Sequence, residues 1–186
     1  MKETLRAKYK ALRDRLPASY RKEAARKIAQ KLFSSPQWKR AKAVGLYISS
    51  RSEVDTTDII KRALAEGKLV RAPKVLSDTK MRFFEITGAK DLKKGSFGIP
   101  EPKLSCKKVG CSTLDLLIVP GIVFDKKGYR LGHGLGYYDR FLPRAFRAFK
   151  VGLSYGRTLV ASLPHDSKDR PVQAVITESG IIFSHD

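Results

Sequence analysis

Cysteine, histidine and acidic residues are scarce in this sequence. Two cysteines, Cys106 and Cys111, occur in 186 residues, which excludes a disulfide framework, and their spacing matches no zinc-binding pattern. No run of about 18 apolar residues occurs, so the sequence predicts no membrane-spanning helix. The first residues lack the apolar region of a secretion signal. We therefore expect a cytoplasmic protein whose two thiols are ordinary loop residues.

The shortage of acidic residues leaves a large positive charge. The chain has 38 lysines and arginines against 18 aspartates and glutamates, a formal net charge of +20. Such an excess favours polyanionic partners: nucleic acid, an anionic membrane surface or a phosphorylated small molecule. The basic residues are spread along the whole chain, as on a solvated surface, and we do not expect nucleic acid to be the main ligand.

Hydrophobic periodicity predicts one α/β domain spanning 1–186. Strand and helix patterns alternate, which is typical of a three-layer α/β/α arrangement around a mostly parallel sheet. The predicted strands are 43–48, 68–75, 81–86, 114–119, 150–155, 172–177 and 181–183. The predicted helices are 2–16, one beginning after Ser19 as its N-cap, one beginning after Asp55 or Thr56, and 137–149.

A glycine-rich segment, 128–140, stands between the most apolar run, 116–124, and the last predicted helix. Glycines at 132, 134 and 136 permit positive φ values and close approach of a ligand. Exposed amides in such a loop bind anions, and Arg130 adds a guanidinium suited to phosphate. Asp139 adds an oxygen ligand of the kind that Mg²⁺ takes beside phosphates. The spacing matches neither the P-loop nor the dinucleotide fingerprint, so the residues alone indicate an anionic ligand or a tight turn.

The motif as a whole is more specific. The segment G-x-R-L-G-x-G-x-G-Y-Y-D-R, preceded by D-L-L-I-V-P-G-I-V-F-D, resembles the signature of the 5-formyltetrahydrofolate cyclo-ligases, also called methenyltetrahydrofolate synthetases. Further similar segments follow in the family's order, and the resemblance covers almost the whole chain. These segments are 2–6, 47–60, 98–102 and 163–178.

The resemblance implies a reaction as well as a fold. Enzymes of this family use ATP and Mg²⁺ to convert 5-formyltetrahydrofolate to 5,10-methenyltetrahydrofolate, with release of ADP and phosphate. Phosphorylation of the formyl oxygen creates a leaving group, and N10 of the folate then attacks the activated carbon. We accordingly expect ATP as co-substrate, Mg²⁺ as cofactor and a folate with or without a polyglutamate tail. We also expect a monomer with no membrane partner.

The resemblance also assigns roles to residues. It implies ATP binding by Lys2, Arg6, Arg130, Leu131, Gly132, His133, Gly134, Leu135, Gly136, Tyr137 and Tyr138. It implies folate binding by Ile48, Glu53, His133, Gly134, Leu135, Gly136 and Tyr137, and metal binding by Asp139 and Asp169. Arg130 and Tyr138 are the expected catalytic residues. Glu53 also follows a predicted strand, where open α/β sheets bind ligands.

The sequence departs from the family pattern at two positions. Leu135 occupies a position where family members often have glycine or lysine, so phosphate contact there must come from the backbone. Gln173 stands where aspartate is common, which leaves Asp169 as the better second carboxylate.

One alternative is a nucleic-acid-binding module, which needs aromatics interleaved with basic residues. The other is a sugar-phosphate isomerase or acyl-transferase on a similar scaffold.

Overall fold

The computed structural model describes residues 1–95 and 98–184, in which five α-helices and thirteen strands occur. The helices are α1 (Lys2–Asp14), α2 (Ala18–Ser34), α3 (Pro36–Arg40), α4 (Thr57–Ala65) and α5 (Tyr137–Phe141). The strands are β1 (Ala43–Leu46), β2 (Leu69–Ser77), β3 (Lys80–Ile86), β4 (Leu92–Lys94), β5 (Pro100–Pro102), β6 (Lys108–Val109), β7 (Leu116–Val119), β8 (Val123–Asp125), β9 (Arg130–Leu131), β10 (Phe149–Leu153), β11 (Leu159–Val160), β12 (Ala174–Ile176) and β13 (Ile181–Phe183).

A central sheet organises the described residues. Its eight strands follow the order β13-β12-β10-β7-β1-β2-β3-β6. The five from β12 to β2 are parallel, whereas β13, β3 and β6 join at the edges in antiparallel pairs. Because crossover connections place helices on the faces of a parallel sheet, β1 and β7 are buried at every residue. The predicted α/β fold with a mostly parallel sheet is confirmed.

One face of the sheet packs against α2, α3 and α4. Apolar residues at helical spacing in α2, among them Ile28 and Leu32, meet Val44 and Leu46 of β1. Trp38 of α3 belongs to the same core and donates from Nε1 to Glu66 at 3.0 Å. Amphipathic helices of this kind derive most of their stability from burying the apolar face. This layer forms largely as the periodicity predicts.

The opposite face of the central sheet packs against shorter elements. Leu117 and Val119 of β7 pack there against Phe141 of α5 and the 3₁₀ turn Leu142–Arg144. The predicted helix over 137–149 is wrong, since α5 ends at Phe141. Pro143 lacks the N–H that a longer helix would need, and the chain enters β10 at Phe149 instead.

Smaller corrections concern element boundaries. The second helix begins at Ala18 with Pro17 as N-cap, rather than after Ser19. The loop expected between the third strand and β7 contains the ribbon β4–β5 and the edge strand β6, although residues 96 and 97 lie outside the described residues. A third sheet, β11-β8-β9, leads into the glycine-rich segment. No helix in the described ranges is long and apolar enough to cross a membrane.

Candidate functional site

A cavity of about 1170 Å³ opens where β1 and β7 end. Ligands of open α/β sheets bind at this edge because the loops that follow the parallel strands meet there. Every residue to which the sequence assigns a site role lines this cavity. They are Lys2, Arg6, Ile48, Glu53, Arg130, Leu131, Gly132, His133, Gly134, Leu135, Gly136, Tyr137, Tyr138, Asp139 and Asp169.

The glycine-rich loop, residues 132–136, forms one wall. Gly134 and Gly136 have φ values of +94° and +63°, which favour glycine, whereas the positive φ expected at Gly132 is absent. The backbone amides of 133–136 donate to no acceptor within the described residues. Such amides bind anions. Arg6 of α1 reaches across the loop and donates from Nε to the carbonyl of Gly132 at 2.9 Å.

Arg130 lies buried beneath this loop. It donates from Nη2 to Asp139 Oδ1 at 2.8 Å and from Nη1 to the carbonyl oxygen of Arg170 at 2.6 Å. Burial lowers the pKa of Arg130, and the neighbouring carboxylate of Asp139 opposes that shift. The backbone N–H of Arg170 also donates to Asp139 Oδ1, at 3.3 Å. This network holds Arg130 and Asp139 at the start of α5.

Lys2 contacts two carboxylates from a distant part of the chain. Its Nζ lies 2.8 Å from Asp166 Oδ2 and 2.5 Å from Asp169 Oδ2. The hydrogen bonds to Asp166 and then Asp169 raise the pKa of Lys2. Lys2 and Arg6 therefore both border the cavity from α1, as their spacing of one helical turn predicts.

Glu53 lines the cavity from the loop that follows β1. Its Oε2 accepts from the backbone N–H of Ser50 at 2.9 Å, and its carbonyl accepts from Tyr155 Oη at 3.0 Å. Burial raises the pKa of Glu53 above that of an exposed glutamate. Ile48, which packs on the core at the end of β1, lies along the same wall. A buried carboxylate beside an apolar surface suits a planar ligand that has N–H donors.

The two tyrosines of the motif differ in their hydrogen bonding. Tyr137 donates to the carbonyl of Ser77 at 3.0 Å, so its hydroxyl ties α5 to the β2–β3 turn. The hydroxyl of Tyr138 is buried and has no partner among the described residues. Burial, and then the charge of Glu53, raise the pKa of Tyr138. A buried hydroxyl without a partner is costly, which indicates a ligand contact.

Sequence comparison identifies the family. Residues 1–178 match the 5-formyltetrahydrofolate cyclo-ligase family. The chain belongs to this family. A probable cyclo-ligase of Schizosaccharomyces pombe is 34% identical over 171 residues, which cover 83% of this chain and 84% of that protein. The cyclo-ligase of Haemophilus influenzae is 32% identical over 176 residues, which cover 92% of this chain and 94% of that protein.

Solved structures of similar proteins agree with this assignment. The 5,10-methenyltetrahydrofolate synthetase of Aquifex aeolicus superimposes with a TM-score of 0.88 at 35% identity, over 100% of this chain and 93% of that one. A synthetase of Mycoplasma pneumoniae gives a TM-score of 0.78 at 25% identity, over 95% of this chain and 98% of that one. The chain is therefore a ligase of the cyclo-ligase family, and this part of the prediction is confirmed. Membership of this family favours the cyclo-ligase interpretation over the nucleic-acid, sugar-phosphate and acyl-transfer alternatives.

Several cavity residues of this family member were missed from the sequence. Lys10 and Arg13 continue the face of α1 that begins with Lys2 and Arg6. The spacing of four, four and three residues places all of them on one stripe, and this signal could have identified them. Arg51, Lys168 and Arg170 also line the cavity; they lie in loops, where spacing carries no such signal.

The pKa of His133 reflects the basic residues that surround it. Burial lowers its pKa, as do the cations Arg13, Lys10, Arg51 and Arg6 in decreasing order. The surrounding cations disfavour a further positive charge on His133. The cavity of the cyclo-ligase therefore presents a strongly positive surface around the glycine-rich loop.

The acidic residues suit a metal only in combination with a ligand. No group of three or more His, Cys, Asp or Glu side chains that could hold a metal ion occurs in 1–95 or 98–184. In Asp139 and Asp169 the hydrogen bonds described above use one carboxylate oxygen each, Oδ1 and Oδ2 respectively. Mg²⁺ often binds through one or two carboxylates together with substrate phosphates. The donor set fits that mode, and it does not fit an all-protein metal site.

Proposed function

We propose that this enzyme uses ATP to convert 5-formyltetrahydrofolate to 5,10-methenyltetrahydrofolate, releasing ADP and phosphate. The observation that carries the proposal is the joining of two different binding surfaces in one cavity. The glycine-rich loop with Lys2 and Arg6 suits a polyphosphate, whereas Glu53 and Ile48 suit the pterin ring of a folate. Tyr138 lines the same cavity, and the charges of Glu53 and Arg130 both act on the pKa of its hydroxyl.

The triphosphate binds along the glycine-rich loop in this proposal. Backbone amides of 133–136, without acceptors in the described residues, donate to phosphate oxygens, while Lys2, Arg6 and Arg130 neutralise their charge. Arginine suits this task because its planar fork matches two phosphate oxygens. Leu135 contributes only its backbone there. The positive surroundings of His133 strengthen the attraction for the nucleotide.

The folate binds at the Glu53 end. The carboxylate of Glu53 accepts hydrogen bonds from the N–H donors of the pterin, and Ile48 packs on its ring. Met81 lies on the same cavity wall and adds apolar surface. This arrangement brings the formyl group next to the glycine-rich loop, within reach of the terminal phosphate. A glutamate tail, of one residue or more, extends from the pocket toward solvent.

The chemistry needs positioning and charge stabilisation rather than a protein nucleophile. The formyl oxygen attacks the terminal phosphorus, the bond from that phosphorus to the bridging oxygen breaks, and ADP departs. The lone pair of N10 then attacks the formyl carbon, the N10 proton is lost, and the carbon–oxygen bond breaks as phosphate leaves. Arg130 stabilises the negative charge of the transferring phosphoryl group. Tyr138 donates its hydroxyl hydrogen to an oxygen of the reacting group.

Asp139 and Asp169 would hold Mg²⁺ together with the nucleotide phosphates. The ion would neutralise phosphate charge there. The two carboxylates come from different segments, one in α5 and one in the segment that bonds Lys2, and these segments meet where the N–H of Arg170 donates to Asp139. Lys2 and Arg130, which contact these carboxylates in the structure, would then be available to bind phosphate oxygens.

Absorbance of the methenyl product tests the proposal directly. Wild-type protein is mixed with 5-formyltetrahydrofolate in the presence and absence of Mg·ATP, beside Arg130→Ala and Asp139→Asn. Arg147→Ala is the control, because Arg147 is exposed and lies outside the cavity. Product that depends on nucleotide in wild type and control, and falls sharply in both site variants, would support the assignment. Nucleotide binding without product would refute the folate assignment.

A further inference from the structure

Arg13 is a buried arginine on an otherwise exposed and strongly basic helix. Only 4% of its surface is accessible, although it lies in the last turn of α1 beside two exposed charged residues, Asp14 and Arg15. Its Nε donates to Ser52 Oγ at 3.1 Å, and its Nη1 donates to the carbonyl of Gly121 at 3.0 Å. A buried charge must be well partnered to be tolerated. The fork of Arg13 thus joins three separate segments: α1, the loop after β1 and the connection after β7.

The loop after β1, residues 49–54, is held from several directions. Ser52 Oγ is also hydrogen-bonded to Asp14, so consecutive residues of α1 contact one hydroxyl. Arg51 has a φ of +54°, the left-handed conformation that non-glycine residues rarely adopt. Such strain persists only where the surrounding contacts enforce it, and it concentrates at functional sites. The contacts on Ser52 therefore constrain the backbone between the strained Arg51 and Glu53.

We propose that Arg13 is a positioning residue that holds the carboxylate of Glu53 in place for folate and connects it to the phosphate-binding helix. The inference rests on the proposed role of Glu53 in folate binding. Arg13 has no contact with the reacting atoms in this scheme. It acts through Ser52, the neighbour of Glu53 in the chain, and through its positive charge.

The groups around Glu53 show what that charge does. The charge of Glu53 is sensed by Arg13 of α1, by Tyr47 directly after β1 and by Tyr138 of α5, while the N–H of Ser50 donates to its carboxylate from within the loop. Burial raises the pKa of Glu53, and the Ser50 hydrogen bond and Arg13 lower it. Loss of Arg13 therefore raises this pKa further, so the ionised form that accepts pterin hydrogen bonds disappears at a higher pH.

Three variants separate the geometric part of the role from the electrostatic part. Arg13→Gln removes the charge, Arg13→Lys keeps the charge but loses the fork, and Ser52→Ala keeps the arginine but loses its link to the loop. Arg15→Gln is the matched control, because Arg15 is exposed on the same helix turn and lies outside the cavity. Circular dichroism and thermal unfolding establish that each variant folds.

The readouts are KM for each substrate and the pH dependence of folate binding, measured without nucleotide. Arg13→Gln is expected to raise KM for 5-formyltetrahydrofolate about tenfold to a hundredfold, and KM for ATP by less than about threefold. In Arg13→Gln, the pH below which folate binding is lost (the acid limb of the binding profile) is expected to rise, because the pKa of Glu53 rises. Arg13→Lys and Ser52→Ala raise KM for folate with little movement of that limb. Glu53→Gln with Arg13→Gln binds folate no more weakly than Glu53→Gln alone, because Arg13 acts through Glu53.

The outcomes distinguish this inference from the proposed function. If wild-type protein forms no methenyl product, the proposed function fails and the folate role of Glu53 fails with it. If wild type is active but folded Arg13→Gln keeps the wild-type KM for folate and the wild-type acid limb, only the role of Arg13 is refuted. Equal increases in both KM values in Arg13→Gln would also refute it, since they would indicate general disruption of the cavity.

Discussion

Arg130 and Asp139 neutralise each other in the candidate site, with Arg130 Nη2 2.8 Å from Asp139 Oδ1. Lys2 and Asp169 form a second such pair, at 2.5 Å. In each pair a proposed phosphate-binding cation meets a proposed metal-binding carboxylate. A charge removed from water is stable only when it is paired. A bound metal–nucleotide complex would satisfy this condition, because the metal would pair with the two carboxylates and the phosphates would pair with Arg130 and Lys2.

The first prediction concerns the buried pair. Asp139→Ala leaves Arg130 buried without its carboxylate and should lower the free energy of unfolding by about 3 kcal/mol. Asp139→Asn should cost less, because the amide oxygen still accepts from Arg130. Both variants should lose product formation by about 10²- to 10³-fold if Asp139 serves the phosphoryl transfer. Chemical denaturation and initial rates measure the two effects, and an equal loss of stability in both variants would contradict the pairing argument.

The second prediction concerns Lys2. Because the Lys2 pair is partly exposed, Lys2→Met should change the free energy of unfolding by less than about 1 kcal/mol. It should nevertheless raise KM for ATP about tenfold or more, the value of one charge-assisted hydrogen bond. Lys8→Met is the control, since Lys8 is exposed on the same helix and lies outside the cavity. Similar KM values for the two variants would rule out a specific phosphate contact at Lys2.

The third prediction concerns the cost of burying Glu53. The folded protein holds the pKa of Glu53 above its ordinary value, so the folded state binds the proton more tightly than the unfolded state. This contribution to stability is therefore largest at low pH and is lost as pH rises through the raised pKa. Glu53→Gln removes the charge and keeps an acceptor for Ser50. At neutral pH it should raise the free energy of unfolding by about 1 kcal/mol, in the range of single stabilising substitutions.

The same Glu53→Gln variant should bind folate poorly, because its amide offers one acceptor oxygen where the carboxylate offers two. Thermal unfolding at neutral pH and at pH 4, together with folate titration, checks both effects. The stability gain should shrink at the lower pH. A variant that is less stable than wild type at neutral pH would contradict the burial argument, whatever its activity.

The fourth prediction concerns Gly128, where the glycine-rich segment begins. Its φ is +84°, and an added Cβ would lie 2.2 Å from the carbonyl oxygen of Val172. That carbonyl belongs to backbone, so it cannot rotate away. Gly128→Ala should lower the free energy of unfolding by about 2–4 kcal/mol, from overpacking and backbone strain together.

Gly67→Ala isolates the backbone part of that cost. Gly67 has a φ of +70° with no atom within 4 Å of an added Cβ, so it should lose only about 1–2 kcal/mol. Urea denaturation of the two variants measures the difference, and equal losses would show that crowding at Val172 has no effect. Gly67 directly follows Glu66, the C-cap of α4, at the position where a glycine commonly ends a helix.

The residue pattern predicted most of the fold where local periodicity decides it. The most apolar run of the sequence forms the buried strand β7, and α2 and α4 form close to the positions that periodicity predicted. The failure at 137–149 has a local cause in Pro143, which ends regular helix soon after the motif. The short strands β4, β5 and β6 were missed because their pairing depends on neighbours rather than on their own residues.

The sequence by itself determined the class of the fold, the glycine-rich loop, the family and many of the residues that line the cavity. These follow from short-range features, namely periodicity, glycine spacing and a long motif. Only the tertiary structure decided which charges are paired and which are buried. Lys2 meets Asp169 across 167 positions of the chain, and Arg13 becomes buried because two distant loops converge on one helix turn. Electrostatic interactions depend on separation and burial in space, and spacing along the chain specifies neither.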